Sequence, residues 1–240
     1  MSIFLTEEDG RQNDVVVVTG ASGRLGRRVV PLLRHHFEVV ALGRSDVDLT
    51  DPAATSRVIS AFKPAKILAL ASYTNVLKAQ IEASKCVLDT VLTVQNTLAA
   101  ARKTGAMLYY GSSDYTAALY RGHIKAHISA GVYAAAKVVA EQFVIAGGGK
   151  VGRLCFTTPE QAQSWKWVDA YAKSRRCWVE EAAMMVVEWM VIDQQDQVVD
   201  LYGDRLVSNL DLLSERFPDH PALNDIRCQP MPLRPSMSSL

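Results

Sequence analysis

Val15–Thr19 is four valines and a threonine with no interruption, followed at once by Gly20. A β-branched run that is apolar throughout predicts a strand buried on both faces. From Arg24 to His36 the spacing changes, and Leu25, Val29, Leu32 and Leu33 fall on one side of a helix. Phe37–Leu42 predicts a second strand. Asp51-Pro52 then predicts a helix start, with the carboxylate as cap and proline in the first turn, running to about Phe62 and stopped by Lys63-Pro64. Ile67–Ala71 predicts a third strand, Ile81 to Thr104 a long helix closed by Gly105, and Met107–Tyr110 a fourth strand. Residues 116–131 hold no clear period and contain Gly122 and Gly131, which predicts a loop. Val132–Ala146 is helical up to Gly147-Gly148-Gly149, and Val151–Phe156 is a fifth strand. Further on, Val179–Ile192 predicts a helix, Val198–Tyr202 a strand, and Val207–Phe217 a helix with Asn209 near its start; prolines 218, 221, 230, 232 and 235 mark a loop-rich end.

Strands that alternate with helices call for an α/β fold. The expected architecture is a Rossmann-type, doubly wound parallel sheet with right-handed crossovers and a small C-terminal substrate lobe. The expected division is a flexible segment at 1–14, a dinucleotide-binding domain at 15–156 that carries the chemistry, and a lobe at 157–240 interleaved with the last sheet elements. The length of 240 residues and an apolar fraction of 49% suit such a core. A net charge of +1 offers no electrostatic case for nucleic acid or an anionic membrane. Cys86, Cys155, Cys177 and Cys228 are far apart and form no CxxC pair, so they are expected as reduced thiols. Met1–Asp14 lacks the basic end and apolar run of a signal peptide, and no apolar stretch approaches the ~20 residues of a membrane helix. A cytoplasmic protein with a small-molecule substrate is the expectation.

The chemistry begins at Gly20-Ala21-Ser22-Gly23-Arg24-Leu25-Gly26, a GxxGxxG run between the first strand and first helix. Glycines there let the backbone turn tightly and approach a pyrophosphate, and the helix N-terminus offers free N–H groups. Gly20, Ser22, Gly23, Arg24, Leu25 and Gly26 are therefore candidate cofactor-binding residues. At the end of the second strand an acid would bind the ribose of NAD, whereas a base accommodates the 2′-phosphate of NADP. Ala41-Leu42-Gly43-Arg44-Ser45 has no acid at the tip and offers Arg44, whose guanidinium can pair two phosphate oxygens. NADPH is expected over NADH, with Asp48 and Leu49 against the adenine.

Tyr133 and Lys137 have YxxxK spacing, which puts both on one helix face. An ammonium beside a phenol favours the phenolate and is expected to lower the tyrosine pKa. A tyrosine so placed is suited to protonating a carbonyl oxygen as hydride reaches the carbon, and lysine can also hold a nicotinamide ribose. Ser112 and Ser113 follow the fourth strand, at the carboxyl edge where a parallel sheet presents its ligand. Either serine there can hydrogen-bond a substrate carbonyl.

These segments resemble the extended short-chain dehydrogenase/reductase superfamily, and within it the chain is most similar to dTDP-4-dehydrorhamnose reductases. The resemblance rests on VVVTGASGRLGRRVV, on Asp48-Leu49-Thr50-Asp51-Pro52, and on Ala71-Ser72-Tyr73-Thr74-Asn75-Val76 after the third strand. Ser112-Ser113-Asp114-Tyr115 resembles the family's STDY, VYAAAKVVAEQ its YGxSKxxGE helix, and Arg234-Pro235 with Ser238, Ser239 and Leu240 its closing RPxxSxL. The resemblance implies Ser113 as the catalytic partner of Tyr133 and Lys137, and Ala71, Ser72 and Tyr73 as further cofactor contacts. It implies NADPH-dependent reduction of a 4-keto nucleotide sugar. The chain departs from the pattern at Leu77, Gln80 and Thr90, and residues 116–132 carry Arg121, His123, Lys125 and His127 where the family is acidic.

Two other functions fit the same residues. One is a dinucleotide-holding regulatory module of this fold, which the departures favour and the retained Ser/Tyr/Lys set opposes. The other is a nucleotide-sugar epimerase or dehydratase, which generally keeps NAD bound. His123 and His127 lack the company of carboxylates or thiols, so no metal site is expected. Trp165, Trp167 and Trp178 are expected to pack a small lobe, and Met184, Met185 and Met190 a core or dimer face. The helices at 81–104 and 132–146 are where a homodimer would form.

Overall fold

A computed structural model describes residues 14–123, 129–163, 173–221 and 223. The first half alternates strand and helix as expected: β1 (Val15–Thr19), α1 (Gly26–Leu33), β2 (Glu38–Leu42), α2 (Pro52–Ala61), β3 (Lys66–Ala69), α3 (Ala83–Thr104) and β4 (Met107–Ser113). Asp51 caps α2 by accepting from the Ala53 and Ala54 N–H groups at 2.8 and 3.0 Å. Gly105 ends α3 in the left-handed conformation, with φ 73°.

The predicted loop at 116–131 is corrected on both sides. α4 (Asp114–Tyr120) follows β4 directly, because the Ser113 hydroxyl caps it and Asp114 sits in its first turn. α5 (Ser129–Ala146) starts three residues before the predicted Val132. The fifth strand is also divided, into β5 (Lys150–Leu154) and β6 (Phe156–Thr157) on either side of Cys155.

α6 (Pro159–Gln163), β7 (Lys173–Ser174), β8 (Cys177–Trp178), α7 (Val179–Ile192), β9 (Val198–Leu201), β10 (Val207–Ser208) and α8 (Asn209–Arg216) complete the described chain. The predicted helix at 207–217 thus starts at Asn209. Ser208 takes a cap conformation and accepts from the Asp211 N–H at 3.0 Å.

Six strands form one sheet in the order β2-β1-β3-β4-β5-β9, and every pairing in it is parallel. Alternate residues of each strand point to opposite faces, and the valine run of β1 shows it. Val16 and Val18, with Leu68 and Tyr109, join Val29 and Leu33 of α1 and Val186 and Met190 of α7. Val17, with Ile67 and Leu108, joins Ile59 of α2, Val94 and Leu98 of α3, and Val144 of α5. This is the doubly wound architecture. α7 and β9 belong to it, although they come late in the chain.

β6 and β8 pair with each other, as do β7 and β10. A separate small core of Ala162, Trp178, Val207, Leu212, Leu213 and Leu223 lies beside them. Trp178 meets Phe217 edge-on at 6.2 Å, and the Arg216 guanidinium stands 4.7 Å from its ring, so this indole packs the lobe as expected. Trp165, Trp167, His127, Cys228 and the closing 234–240 segment lie outside the described residues. No helix among the described residues is long and apolar enough to cross a membrane. No group of three or more described His, Cys, Asp or Glu residues could hold a metal ion.

Candidate active site

A cleft of about 300 Å³ opens where β1, β3, β4 and β5 end. It sits at the carboxyl edge of the sheet, where crossover loops leave room for a ligand. The glycine turn forms one wall through Gly20, Gly23, Arg24, Leu25 and Gly26, while Ser72, Ser113, Tyr133 and Lys137 line it from the other elements.

The glycines are required by space. Gly20 has φ +69°, and a Cβ there would meet the Ala71 nitrogen at 2.7 Å. A Cβ on Gly26 would lie 2.4 Å from the Gly20 carbonyl oxygen. The turn is therefore packed so closely on neighbouring backbone that Gly20 and Gly26 exclude any side chain, and the bare backbone this leaves at the cleft fits the pyrophosphate of a dinucleotide.

The remaining predicted cofactor residues lie outside the wall of this cleft. Arg44 is exposed beyond β2. Ser22 stands beside Gly43, whose added Cβ would meet the Ser22 Oγ at 3.2 Å. Asp48 turns its carboxylate back onto the Thr50 N–H and hydroxyl at 2.9 and 2.7 Å, and the Leu49 side chain is spent in the core. Tyr73 is buried against Tyr133 and donates to Glu82 at 3.0 Å. An acid does stand at the tip of β2, contrary to expectation. Asp46 folds back and accepts from the Gly43 N–H at 2.6 Å, a contact that requires the turn after β2 and has no mark in the local sequence.

Tyr133 and Lys137 share one face of α5 and both reach the cleft. Lys137 is 3% exposed, and its ammonium donates to the Gly111 carbonyl at 3.4 Å and lies 5.0 Å from the Tyr110 ring and 5.9 Å from the Tyr133 ring. Burial lowers its pKa to about 8. Burial also raises the Tyr133 phenol above its ordinary value. The expected lowering of the tyrosine is thereby corrected. Loss of water around the phenol outweighs the Ser113 hydrogen bond that favours its ionisation, and the nearby Asp114 charge raises it further.

The two serines separate. Ser112 is buried and donates to Glu141 at 2.6 Å. Ser113 faces the cleft, within hydrogen-bonding reach of the Tyr133 phenol. Glu141 is fully buried and also accepts from Thr116 at 2.9 Å and from Arg153 at 3.1 and 2.8 Å. This node ties β4, α4 and β5 to the helix that carries Tyr133 and Lys137.

Several cleft residues have no forewarning in local spacing: Thr74, Val76, Cys155, Gln161 and Arg176. Asp114 and Tyr115 also line it, and their signal is the resemblance of Ser112–Tyr115 to STDY, which assigned them no role. Tyr115 meets Tyr133 edge-on at 5.8 Å. Thr90, one of the departures, is buried and accepts from Ser72 at 3.2 Å.

The RmlD substrate binding domain family matches residues 14–152, more than half of the chain. The chain belongs to this family. It is 35% identical over 102 residues to dTDP-4-dehydrorhamnose reductase of Aggregatibacter actinomycetemcomitans, a match that covers 42% of this chain and 35% of that protein. It is 38% identical over 100 residues to the enzyme of the same name from Streptomyces griseus, covering 41% and 33%. The match thus spans about a third of the length of these curated relatives.

Among solved structures, dTDP-4-dehydrorhamnose reductase from Bacillus anthracis in complex with NADP superposes with a TM-score of 0.73 at 20% identity, over 88% of this chain and 82% of that one. UDP-glucose 4-epimerase from Brucella ovis in complex with NAD gives 0.66 at 16%, over 84% and 81%. At these identities the likeness establishes the fold.

Proposed function

We propose that this member of the RmlD family is an NADPH-dependent reductase of a 4-keto nucleotide sugar, of the dTDP-4-dehydrorhamnose reductase type. The observation that carries it is the convergence of the glycine cradle, Ser113, Tyr133 and Lys137 on one cleft. The matched relatives, which are reductases of dTDP-linked keto sugars by name, support the substrate class.

NADPH, when bound, supplies hydride to the carbonyl carbon. Tyr133 holds its proton by burial and donates it to the carbonyl oxygen. Ser113 steadies that oxygen by a hydrogen bond. Lys137 holds the nicotinamide ribose and brings positive charge beside the phenol. The backbone N–H groups of the glycine turn, with Arg24, hold the pyrophosphate. Arg44 takes the 2′-phosphate at the exposed end of β2. A homodimer through α3 and α5 suits the exposed Val87, Leu88, Val139 and Phe143 on those helices, and light scattering on the purified chain tests it.

The deciding experiment mixes the full chain with NADPH and a panel of dTDP- and UDP-linked 4-keto-6-deoxy sugars. Loss of NADPH with formation of the 4-hydroxy sugar is expected. A folded protein that binds NADPH yet turns over no member of the panel would overturn the proposal in favour of the regulatory module.

Two further results are expected. Arg44→Ala should raise KM for NADPH roughly tenfold, about 1.4 kcal/mol of lost phosphate pairing, and leave KM for NADH unchanged. Equal changes for both cofactors would remove Arg44 from the role. The pH profile of kcat/KM should fall above about 8, where Lys137 loses its proton; a profile flat to pH 10 would show that the charge on Lys137 is not needed.

A further inference from the structure

Ser113 ends β4 with its hydroxyl in the cleft, and Asp114 follows it as the first residue of α4. The Ser113 Oγ lies 3.1 Å from the Asp114 Oδ1 and donates to it. The direction of this bond is set by chemistry, since an ionised carboxylate has no hydrogen to give. The same oxygen accepts from the Tyr115 N–H at 3.4 Å. A hydroxyl has one hydrogen, and an ionised Asp114 takes it, which leaves only the lone pairs of Ser113 for the Tyr133 phenol that also lies within reach.

That creates a conflict at the site. A carbonyl oxygen accepts only, so Ser113 can hold one only by giving it this hydrogen. Asp114 also lines the cleft, so the competing acceptor stands beside the position the carbonyl would take. A protonated Asp114 removes the conflict, because its own O–H can donate to Ser113 and release the serine hydrogen.

We propose that Asp114 is a positioning residue for this reduction: its carboxylate captures the Ser113 hydroxyl hydrogen, and its protonated form frees that hydrogen for the substrate carbonyl. The inference rests on the reductase reading. The groups that face Asp114 are few. Arg176, from the turn between β7 and β8, favours the carboxylate, as do the Ser113 hydroxyl, the Tyr115 N–H and the Cys155 thiol between β5 and β6. Burial opposes all of them and moves the carboxyl above its ordinary value. The Tyr133 phenol on α5 and the Tyr115 phenol on α4 both feel the charge on Asp114, which makes their protons harder to remove. The position of Asp114 on a cleft wall, between a hydroxyl and a guanidinium, gives the switch its geometry.

The test compares pH profiles of wild type, Asp114→Asn and Ser113→Ala in the full chain, with NADPH binding as the check on folding. Wild-type kcat/KM should fall as Asp114 ionises, in a limb on the acid side of the Lys137 limb. Asn can donate to Ser113 at every pH. Asp114→Asn should therefore match the wild-type acid plateau within about threefold, lose the first limb and keep the second. A variant that retains both limbs, or one that binds NADPH but is inactive at every pH, would overturn the proposal.

A readout without activity covers the case where the variant misfolds or the chain reduces no sugar. The Asp114 carboxyl can be titrated by NMR in wild type and in Ser113→Ala. Loss of the donor should raise its pKa, because a hydrogen bond to the carboxylate favours ionisation. An unchanged titration overturns the coupling. A raised one supports it, even where turnover is absent and the reductase reading has failed.

Discussion

Tyr133→Phe is expected to lower kcat by roughly 10²–10⁴-fold, the span measured for loss of a positioned proton donor. The substitution removes one oxygen and keeps the ring. That ring is 8% exposed and packed edge-on against Tyr115 in a pocket with Tyr73, Cys86 and Ala136. The packing should therefore survive, and with it NADPH affinity, because the glycine cradle and Lys137 are untouched. Steady-state kinetics with the keto sugar, alongside a fluorescence titration of NADPH, would separate chemistry from binding. A kcat within threefold of wild type would place the proton donor elsewhere. A loss of NADPH affinity as large as the loss of rate would mean that the variant has damaged the pocket.

Glu141→Ala should cost about 3–5 kcal/mol of stability, the usual result of removing one partner from a buried ion pair. Glu141 is fully buried, and four donor contacts end on its two oxygens, from Ser112, Thr116 and both faces of the Arg153 fork. Alanine would leave that guanidinium and two hydroxyls facing a hole. The cost is large against a total folding stability of about 5–15 kcal/mol, so urea unfolding at neutral pH should show a clear fall in the midpoint. The pair's own attraction is a smaller quantity, because two charges have been taken out of water to make it. Replacing both partners, Glu141→Leu with Arg153→Met, should therefore recover part of the loss. If the double variant is as unstable as the sum of the two single ones, the two side chains are uncoupled and the buried pair is not the source of the loss. If Glu141→Ala unfolds at the wild-type midpoint, the node has no structural role.

The loop predicted at 116–131 illustrates how far local pattern reaches. Its first part folds as α4, because Ser113 caps it and Thr116 reaches a carboxylate on a different helix. Neither the Ser113 cap nor the long-range partner shows in the period of residues 116–131. The Tyr133–Lys137 pair shows the same boundary from the other side. Spacing correctly put both on one face of α5, yet the electrostatic consequence came out reversed. Sequence spacing specifies distance along a helix and says nothing about how much water the fold removes. Here desolvation moves the lysine down and the tyrosine up. Asp46 lies past the end of β2 in sequence, but a turn returns its carboxylate to the Gly43 N–H.

What the sequence by itself determined is the part governed by short repeats and local stereochemistry. The valine run of β1 dictates a buried strand, the glycine turn a bare cradle, and the order of strands and helices a parallel sheet with its ligand edge near Gly20, Ser113 and Tyr133. Spacing left both serines open and resemblance pointed to Ser113; the tertiary structure is what sets the two apart. Ser112 and Ser113 are neighbours, and one is taken by a glutamate 29 residues away while the other faces the open space. Only the tertiary structure brought Arg176 and Asp114 to the same wall, and burial is the largest cause that moves Lys137 down and Tyr133 and Asp114 up from their ordinary values. The reason is common to all of these. Pattern along a chain encodes which face turns inward, whereas pairing and desolvation depend on what other segments place opposite that face.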